Sequence, residues 1–430
     1  MGIGRERKRW RAVPLLALVT LIAALGLTAC GRDDDDDGGG GDGELATAPG
    51  FDGETIRVGA ITPETGPVEV IGGPLTNGNR VWFQYLNEEQ GGVAGRYPVE
   101  LEVVDSRYQA PTAVQQYNRI KDDVVMLTQL LGTPITSAVL PQLESDEIIA
   151  SPASLDSLWV REPQLAPLGA PYQIQAINAL DYWIKNEGSP DATICALIQD
   201  DVYGEAGLQG VEFAGEQLGF EVAEVARYAT GDEEFTAQIR QLDGAGCELV
   251  FLTALPTEAG GILGTAAQSQ FAPRWIGQSP MWVDELLDSP LRPYLEQRLW
   301  VVAEGPEWGD QSVPGMADMV ERVQRYSPDQ EPDFYFTFGY NQARLVTDIL
   351  EKAVSNGDLS REGIATAMDE LGTVSFDGIG GDYQYGPAEE RTPPTQNTIL
   401  QANAQAPFGL AALATNYSSD AAQAFEFEGE

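Results

Sequence analysis

The sequence predicts an α/β protein made of two doubly wound parallel-sheet lobes, on three observations. Short, buried-strand patterns alternate with longer helical patterns, the spacing of parallel strands joined by helical crossovers. This alternation runs through twice in succession, which calls for two similar lobes. Once an N-terminal leader is set aside, about 380 residues remain, enough for two separate cores.

The first run reads as strand Thr55–Thr62 (TIRVGAIT), helix Asn77–Gly91, strand Val99–Ser106 and helix Ala110–Asp123, with Pro111 in its first turn. Strand Val124–Gly132, helix Thr136–Glu147 and strand Ile148–Ser154 complete it. The second run reads as helix Tyr172–Gly188, strand Ala192–Gln199, helix Gly204–Gly219, strand Glu221–Tyr228 and helix Glu234–Gly246. It continues as strand Cys247–Ala254, helix Thr257–Gln270 and strand Arg274–Gln278. After Glu304 two helices are expected, Phe334–Gly357 and Ser360–Gly372, then a strand-poor tail rich in Pro, Gly and Asn. The loop Asp310–Gly315 reads as lying on the hinge side. Crossovers are expected to be right-handed.

The leader has its own logic. Five basic residues, Arg5, Arg7, Lys8, Arg9 and Arg11, precede an apolar run, Ala12–Ala29, that ends in small residues. That is the layout of a secretory signal, residues 1–29. Its end, LTAC (Leu27–Cys30), resembles the lipobox of bacterial lipoproteins, which implies that Cys30 is lipidated and becomes the new N-terminus. Residues 30–53 then form an acidic, glycine-rich tether. Asp33, Asp35, Asp37, Gly38 and Glu44 are spaced like a calcium loop, but no helices flank them, and Gly40 offers no side chain to pack. The solvated spacer is the reading adopted, with no metal site.

Composition excludes much. Formal net charge is −41. The first 29 residues carry five bases and one acid, or +4, so the remainder stands at −45. Such a surface repels nucleic acid, whose phosphates need Lys and Arg. Histidine is absent, which removes Ser-His-Asp and Cys-His nucleophiles and every imidazole metal ligand. The four lysines, Lys8, Lys121, Lys185 and Lys352, fit neither a Ser-x-x-Lys site nor a phosphate-binding loop. Cys195 and Cys247 both open apolar strand-like runs and are expected as buried free thiols, with a bridge as the alternative in an oxidising compartment. No cofactor is implied.

In open parallel sheets, ligands bind beyond the carboxyl ends of the strands. The loops there share small hydroxyl residues, glycine and proline: TPETGPVEVIGG, GTPITSAV, SPASLDS, QDDVYGEAG, TALPTEAGG and GQSPMW. In GTPITSAV, Thr133, Thr136 and Ser137 sit at a helix start, where N–H groups and hydroxyls suit a carboxylate. Helix capping explains a single such residue equally well. The convergence of several loops on one edge favours a ligand site.

From about Ile56 to Ala402 the chain resembles the type I periplasmic solute-binding lipoproteins of ABC importers, in their branched-chain amino acid (leucine-binding) branch. The resemblance rests on IRVGAITPETGP, NEEQGGVAGRYPVELEVVDS, LLGTPITSAVLPQLESDEIIASPAS, DDVYGEAG and YNQARLVTDILEKA, standing in that order. It implies two lobes joined by three crossovers and closing like a clamshell: residues 54–170 with 305–375, and residues 171–304 with 376–430. It further implies that Thr133 or Thr136, with Ser151, Ala153 and Ser154, hold ligand from the first lobe and that Tyr203 closes from the second. Positions that are often aromatic in the family fall on Ile71 and Leu255. The position of the acid that pairs with an amino-acid ammonium falls near Ser279, while Asp200, Asp201 and Glu258 lie close in sequence. Tyr335 is a further candidate in an otherwise core-like aromatic run, and Trp282 reads equally as pocket wall or core.

The implied function is capture of a small amino-acid-like, organic-acid or amide solute by a monomer anchored outside the cell, for an ABC permease and its ATPase. It is not an enzyme on this reading. A sensing receptor of the same fold and a secreted carboxylate-dependent hydrolase are the competing readings. Tyr203→Ala is expected to weaken ligand while leaving the empty protein's melting point nearly unchanged.

Overall fold

The computed structural model describes residues 45–427. The expected signal, lipidated Cys30 and the calcium-like spacing lie outside them. The first sheet grows around β1 (Ile56–Thr62), which pairs in parallel with β2 (Val99–Asp105) and β3 (Met126–Leu131). β4 (Ala150–Ala153) adds beyond β3, so the order is β2-β1-β3-β4. The connections are α1 (Glu69–Glu89), α2 (Ala110–Ile120) and α3 (Thr133–Asp146).

The chain then crosses to the second lobe through α4 (Tyr172–Asn186). There β5 (Ile194–Gln199), α5 (Val202–Leu218), β6 (Val222–Tyr228), α6 (Thr236–Ala245) and β7 (Leu249–Thr253) follow. Next come α7 (Pro256–Gln268), β8 (Arg274–Gln278), α8 (Arg292–Arg298) and β9 (Leu299–Ala303). All five strands are parallel, in the order β9-β8-β7-β5-β6. A return crossing brings α9 (Pro314–Tyr326), α10 (Phe334–Asn356) and α11 (Arg361–Asp369) onto the first lobe, where their apolar faces join the core of β1 and β3. After the short hairpin β10 (Thr373–Val374) and β11 (Tyr383–Gln384), a third crossing reaches β12 (Asn397–Ala402), β13 (Leu410–Tyr417) and α12 (Asp420–Gln423).

Several expectations change. The tail read as strand-poor supplies two strands: β12 pairs antiparallel to β9, and β13 antiparallel to β12, extending the second sheet to seven strands among the described residues. No helix separates them, so the alternation that marked the other strands is missing. α1 begins at Glu69, inside a segment read as loop, despite Pro74 and two glycines. Burial of Ile71 and Leu75 outweighs the weak helix propensity of the proline and glycines. Residues 45–53, assigned to the tether, are packed: Phe51 is buried, pairs with Ile56 and meets Tyr97 edge-on. Cys195 and Cys247 are not free but form a disulfide, with Cα atoms 5.9 Å apart. β5 and β7 are neighbours in the sheet, which brings two cysteines remote in sequence within bonding reach.

α1 and α10 cross at Gly78 and Gly339. A Cβ at Gly78 would overlap the Phe336 carbonyl, and one at Gly339 the Leu75 carbonyl. The third crossing is fastened by arginines. The buried Arg391 donates to the carbonyls of Leu165 (2.8 Å), Glu162 (2.9 Å) and Gly386 (3.1 Å), and Arg161 to those of Arg391 (2.7 Å) and Ala388 (3.0 Å).

Candidate functional site

A cavity of ≈ 910 Å³, its mouth included, lies between the strand tips of the two sheets. The first lobe lines it with Ile71 and Leu75 on α1, Gly132 and Thr133 at the start of α3, and Ala153 and Ser154 at the end of β4. The second lobe contributes Tyr203 at the start of α5, Leu255 before α7, and Ser279 after β8. Tyr335, Phe338 and Asn341 enter from α10, and Glu304 from the end of β9.

Eight of the ten sequence candidates are thus brought together: Ile71, Thr133, Ala153, Ser154, Tyr203, Leu255, Ser279 and Tyr335. Ser151 and Thr136 are not among the lining residues. The Ser151 hydroxyl accepts from the Gln342 side chain at 3.2 Å, and Thr136 is fully buried. Trp282 also lies outside the lining, in the second-lobe core, with its indole N–H on the Phe408 carbonyl at 2.9 Å.

The first-lobe wall carries a hydroxyl cluster. Thr133 Oγ1 and Ser154 Oγ are 2.8 Å apart, and Trp159 Nε1 donates to Ser154 at 2.9 Å. Tyr172 lines the same part of the cavity. Burial pushes the phenols of Tyr108, Tyr172, Tyr203 and Tyr335 up, so each remains a protonated donor at neutral pH.

One of these tyrosines joins the lobes. Tyr335 donates to the carbonyls of Ser279 (3.0 Å) and Trp282 (2.8 Å). An apolar seam lies beside it, with Ile71, Leu75 and Leu131 from one lobe against Tyr203, Ala206 and Leu255 from the other. The lobes therefore meet over the cavity, as a closed clamshell would.

Tyr203 is 2% exposed, donates to the Ala254 carbonyl at 3.2 Å and meets Tyr172 edge-on at 5.1 Å. So buried a ring is structural as well as cavity-lining. Tyr203→Ala therefore removes core packing and lowers the melting point of the empty protein, against the expectation of an unchanged one.

None of the acids close in sequence to the family's ammonium site lines the cavity. Asp201 caps α5, accepting from the N–H groups of Tyr203 (3.0 Å) and Gly204 (3.2 Å). Glu258 accepts from Gly231 N–H at 2.9 Å, and Asp200 pairs with Arg227 at 3.3 Å. The acid in the lining is Glu304, which sequence reasoning missed. It is partly buried and accepts from the Ala170 N–H, so it spans two of the chain crossings. Gly169 is what admits it, because a Cβ there would stand 2.5 Å from Glu304 Oε2. Burial raises the Glu304 pKa to about 8. Its only sequence signal is an acid directly after the short apolar run of β9, in LWVVAEG.

Among the described residues, no cluster of three or more His, Cys, Asp or Glu is arranged to hold a metal. The lining contains neither lysine nor arginine, and Glu304 is its one carboxylate.

Comparison with known proteins agrees with this geometry. Residues 55–407 match the family model described as periplasmic binding protein. A Leu/Ile/Val-binding protein homolog from Brucella melitensis is 25% identical over 213 residues, 48% of this chain; the match spans 56% of that relative's length. A fatty acid ABC transporter substrate-binding protein from Thermomonospora curvata superposes with a TM-score of 0.81 at 23% identity, over 90% of this chain and 98% of that one. A branched-chain amino acid ABC transporter protein from Thermus thermophilus with bound valine has a TM-score of 0.72 at 15% identity, over 86% and 98% of the two chains. With a family model matched over most of its length and the two-lobed architecture these structures share, the chain belongs to the periplasmic binding protein family.

Proposed function

We propose that this protein captures a small solute between its lobes and passes it, unaltered, to an ABC permease and its ATPase. The observation that carries the reading is the cavity itself, lined from both lobes and bridged by Tyr335 across their junction. Ligand contacts to both lobes favour the closed state, and a transporter that prefers that state reads occupancy. Carboxylate-dependent hydrolysis needs two acids flanking the reacting bond, and the lining holds one. The family match and the ligands for which its relatives are named, branched-chain amino acids and a fatty acid, support a solute with an apolar body: amino-acid-like, organic acid or amide.

The leader adds that the protein is exported and anchored through lipid on Cys30; it acts as a monomer. Thr133, Ser154, Tyr203, Ser279 and Tyr335 contact ligand directly. The test is a thermal-shift screen over amino acids, organic acids and amides, with recovered ligand checked by mass spectrometry. At ~100 times its dissociation constant a true ligand adds about 2.7 kcal/mol of stability. A panel that produces no shift, or a hit that returns chemically changed, defeats the proposal.

A further inference from the structure

The hinge side of the cavity carries two acceptors that no sequence motif marks. Glu304 lies in the lining where the chain leaves β9, and its one hydrogen-bond donor given by the structure is the Ala170 N–H. Asn341, on α10, is 3% exposed and also lines the cavity. Its Nδ2 donates to the Ile379 carbonyl at 3.3 Å, while its Oδ1 is buried without a hydrogen-bond partner. Both reach the cavity from one side: the Ile379 carbonyl that Asn341 bonds also packs on Gly305, the residue after Glu304, where a Cβ would stand 2.8 Å from it. A buried acceptor left unpaired costs stability, and a carboxyl shielded from water without a counter-charge keeps its proton, as Glu304 does at neutral pH. No lysine or arginine of the lining meets either need.

We propose that Glu304 and Asn341 form the head-group subsite and accept hydrogen bonds from a nitrogen-bound donor of the ligand, an amine or an amide N–H. The ligand's apolar body then lies along Ile71, Leu75, Leu255 and Phe338, and any acceptor it carries meets the hydroxyls of Thr133, Ser154 and Tyr172. This rests on the capture reading above and narrows it: bare carboxylic acids are disfavoured, since an anion would enter a lining without lysine or arginine, whereas an ammonium can stand in for the proton that Glu304 holds while the cavity is empty. It also explains how a family site without an acid near Ser279 can still take an ammonium. The counter-charge comes from the hinge instead of the second-lobe strand tips.

The test is isothermal titration of the full chain with two matched sets. One is 3-methylbutylamine, 4-methylpentanamide and 4-methylpentanoic acid; the other is the amine, amide and acid carrying a phenylethyl group. Wild type should bind the amine or amide of one set at least about 10-fold tighter than its acid, a difference of 1.4 kcal/mol. Glu304→Gln keeps an acceptor for Ala170 N–H and should lower amine affinity about 10-fold while moving the amide far less. Asn341→Leu should weaken amine and amide together, and melting of the empty variants confirms that they fold. Tightest binding by an acid, or amine affinity unchanged in Glu304→Gln, overturns the subsite and leaves solute capture standing. No binding by any member of either set overturns both.

Discussion

At Tyr335 one hydroxyl serves two carbonyls of the opposite lobe, those of Ser279 and Trp282. Tyr335→Phe keeps the ring and removes both bonds. It should lower the melting temperature by an amount equivalent to about 1–3 kcal/mol, because two buried carbonyls lose a donor. It should also shrink the thermal shift given by any confirmed ligand; an unchanged shift would mean that this bond does not help hold the lobes together. At Glu304 and Asp333 the lever is pH. Burial raises both carboxyls to about 8, from ordinary values of 4.5 and 3.8, and Asp348 rises to about 6 by the same cause. A raised acid retains its proton in the fold after the unfolded chain has released it, so stability is fully present below about pH 4 and is lost as pH climbs through 8. The melting temperature of the empty protein should therefore fall between pH 5 and 9, by at most a few kcal/mol in stability, and Glu304→Gln should flatten that decline. A melting temperature that rises over this range would contradict the assignment.

Among the elements, β5 and β7 are held by more than their ladder. The Cys195–Cys247 bridge closes a loop across a sequence separation of 52, for which chain-entropy reasoning assigns about 4 kcal/mol. Reduction, or the double change to serine, should lower the unfolding free energy by up to that amount in denaturant titrations. No difference between oxidised and reduced protein would show that the unfolded chain gains nothing when released. The crossing of α1 with α10 is equally specific. Gly339→Ala places a methyl into the Leu75 carbonyl, and overpacking of this kind costs about 1–3 kcal/mol. Circular dichroism melts would register it, and wild-type stability would mean that the helices can move apart freely. Strands β1 to β8 were legible in the sequence because helices separate them and their runs are apolar. β12 and β13 were not, because antiparallel neighbours need no helical spacer and β13 alternates with partly exposed residues. α9 was missed for another reason: it starts at Pro314 inside the Asp310–Gly315 loop reading, and no helix was expected in the polar run that follows.

For the whole molecule, the dominant number is the net charge of −41. Such self-repulsion works against compactness and is screened by salt. Raising sodium chloride from ~10 mM to ~1 M should raise the melting temperature, as fluorimetry would show; a fall would mean that the surface ion pairs, Arg57–Asp52 at 2.8 Å among them, outweigh the repulsion. Most of the candidate site was also legible. Strand-tip loops rich in small hydroxyl residues placed Thr133, Ser154, Tyr203 and Ser279 around one cavity, as the parallel-sheet rule requires. Its acid was not. Glu304 has no motif, and its place in the cavity depends on a third segment, Gly169–Ala170, more than a hundred residues away in the chain.

By itself, then, the sequence determined the class of architecture, the edge on which ligand would sit and the chemistries that absent histidine rules out. All three follow from local periodicity and composition, which each stretch of chain carries alone. Only the tertiary structure decided which cysteines meet, which strands finish the second sheet and which carboxyl faces the cavity. Those depend on segments distant in sequence being brought side by side, and no local pattern encodes the distance between them.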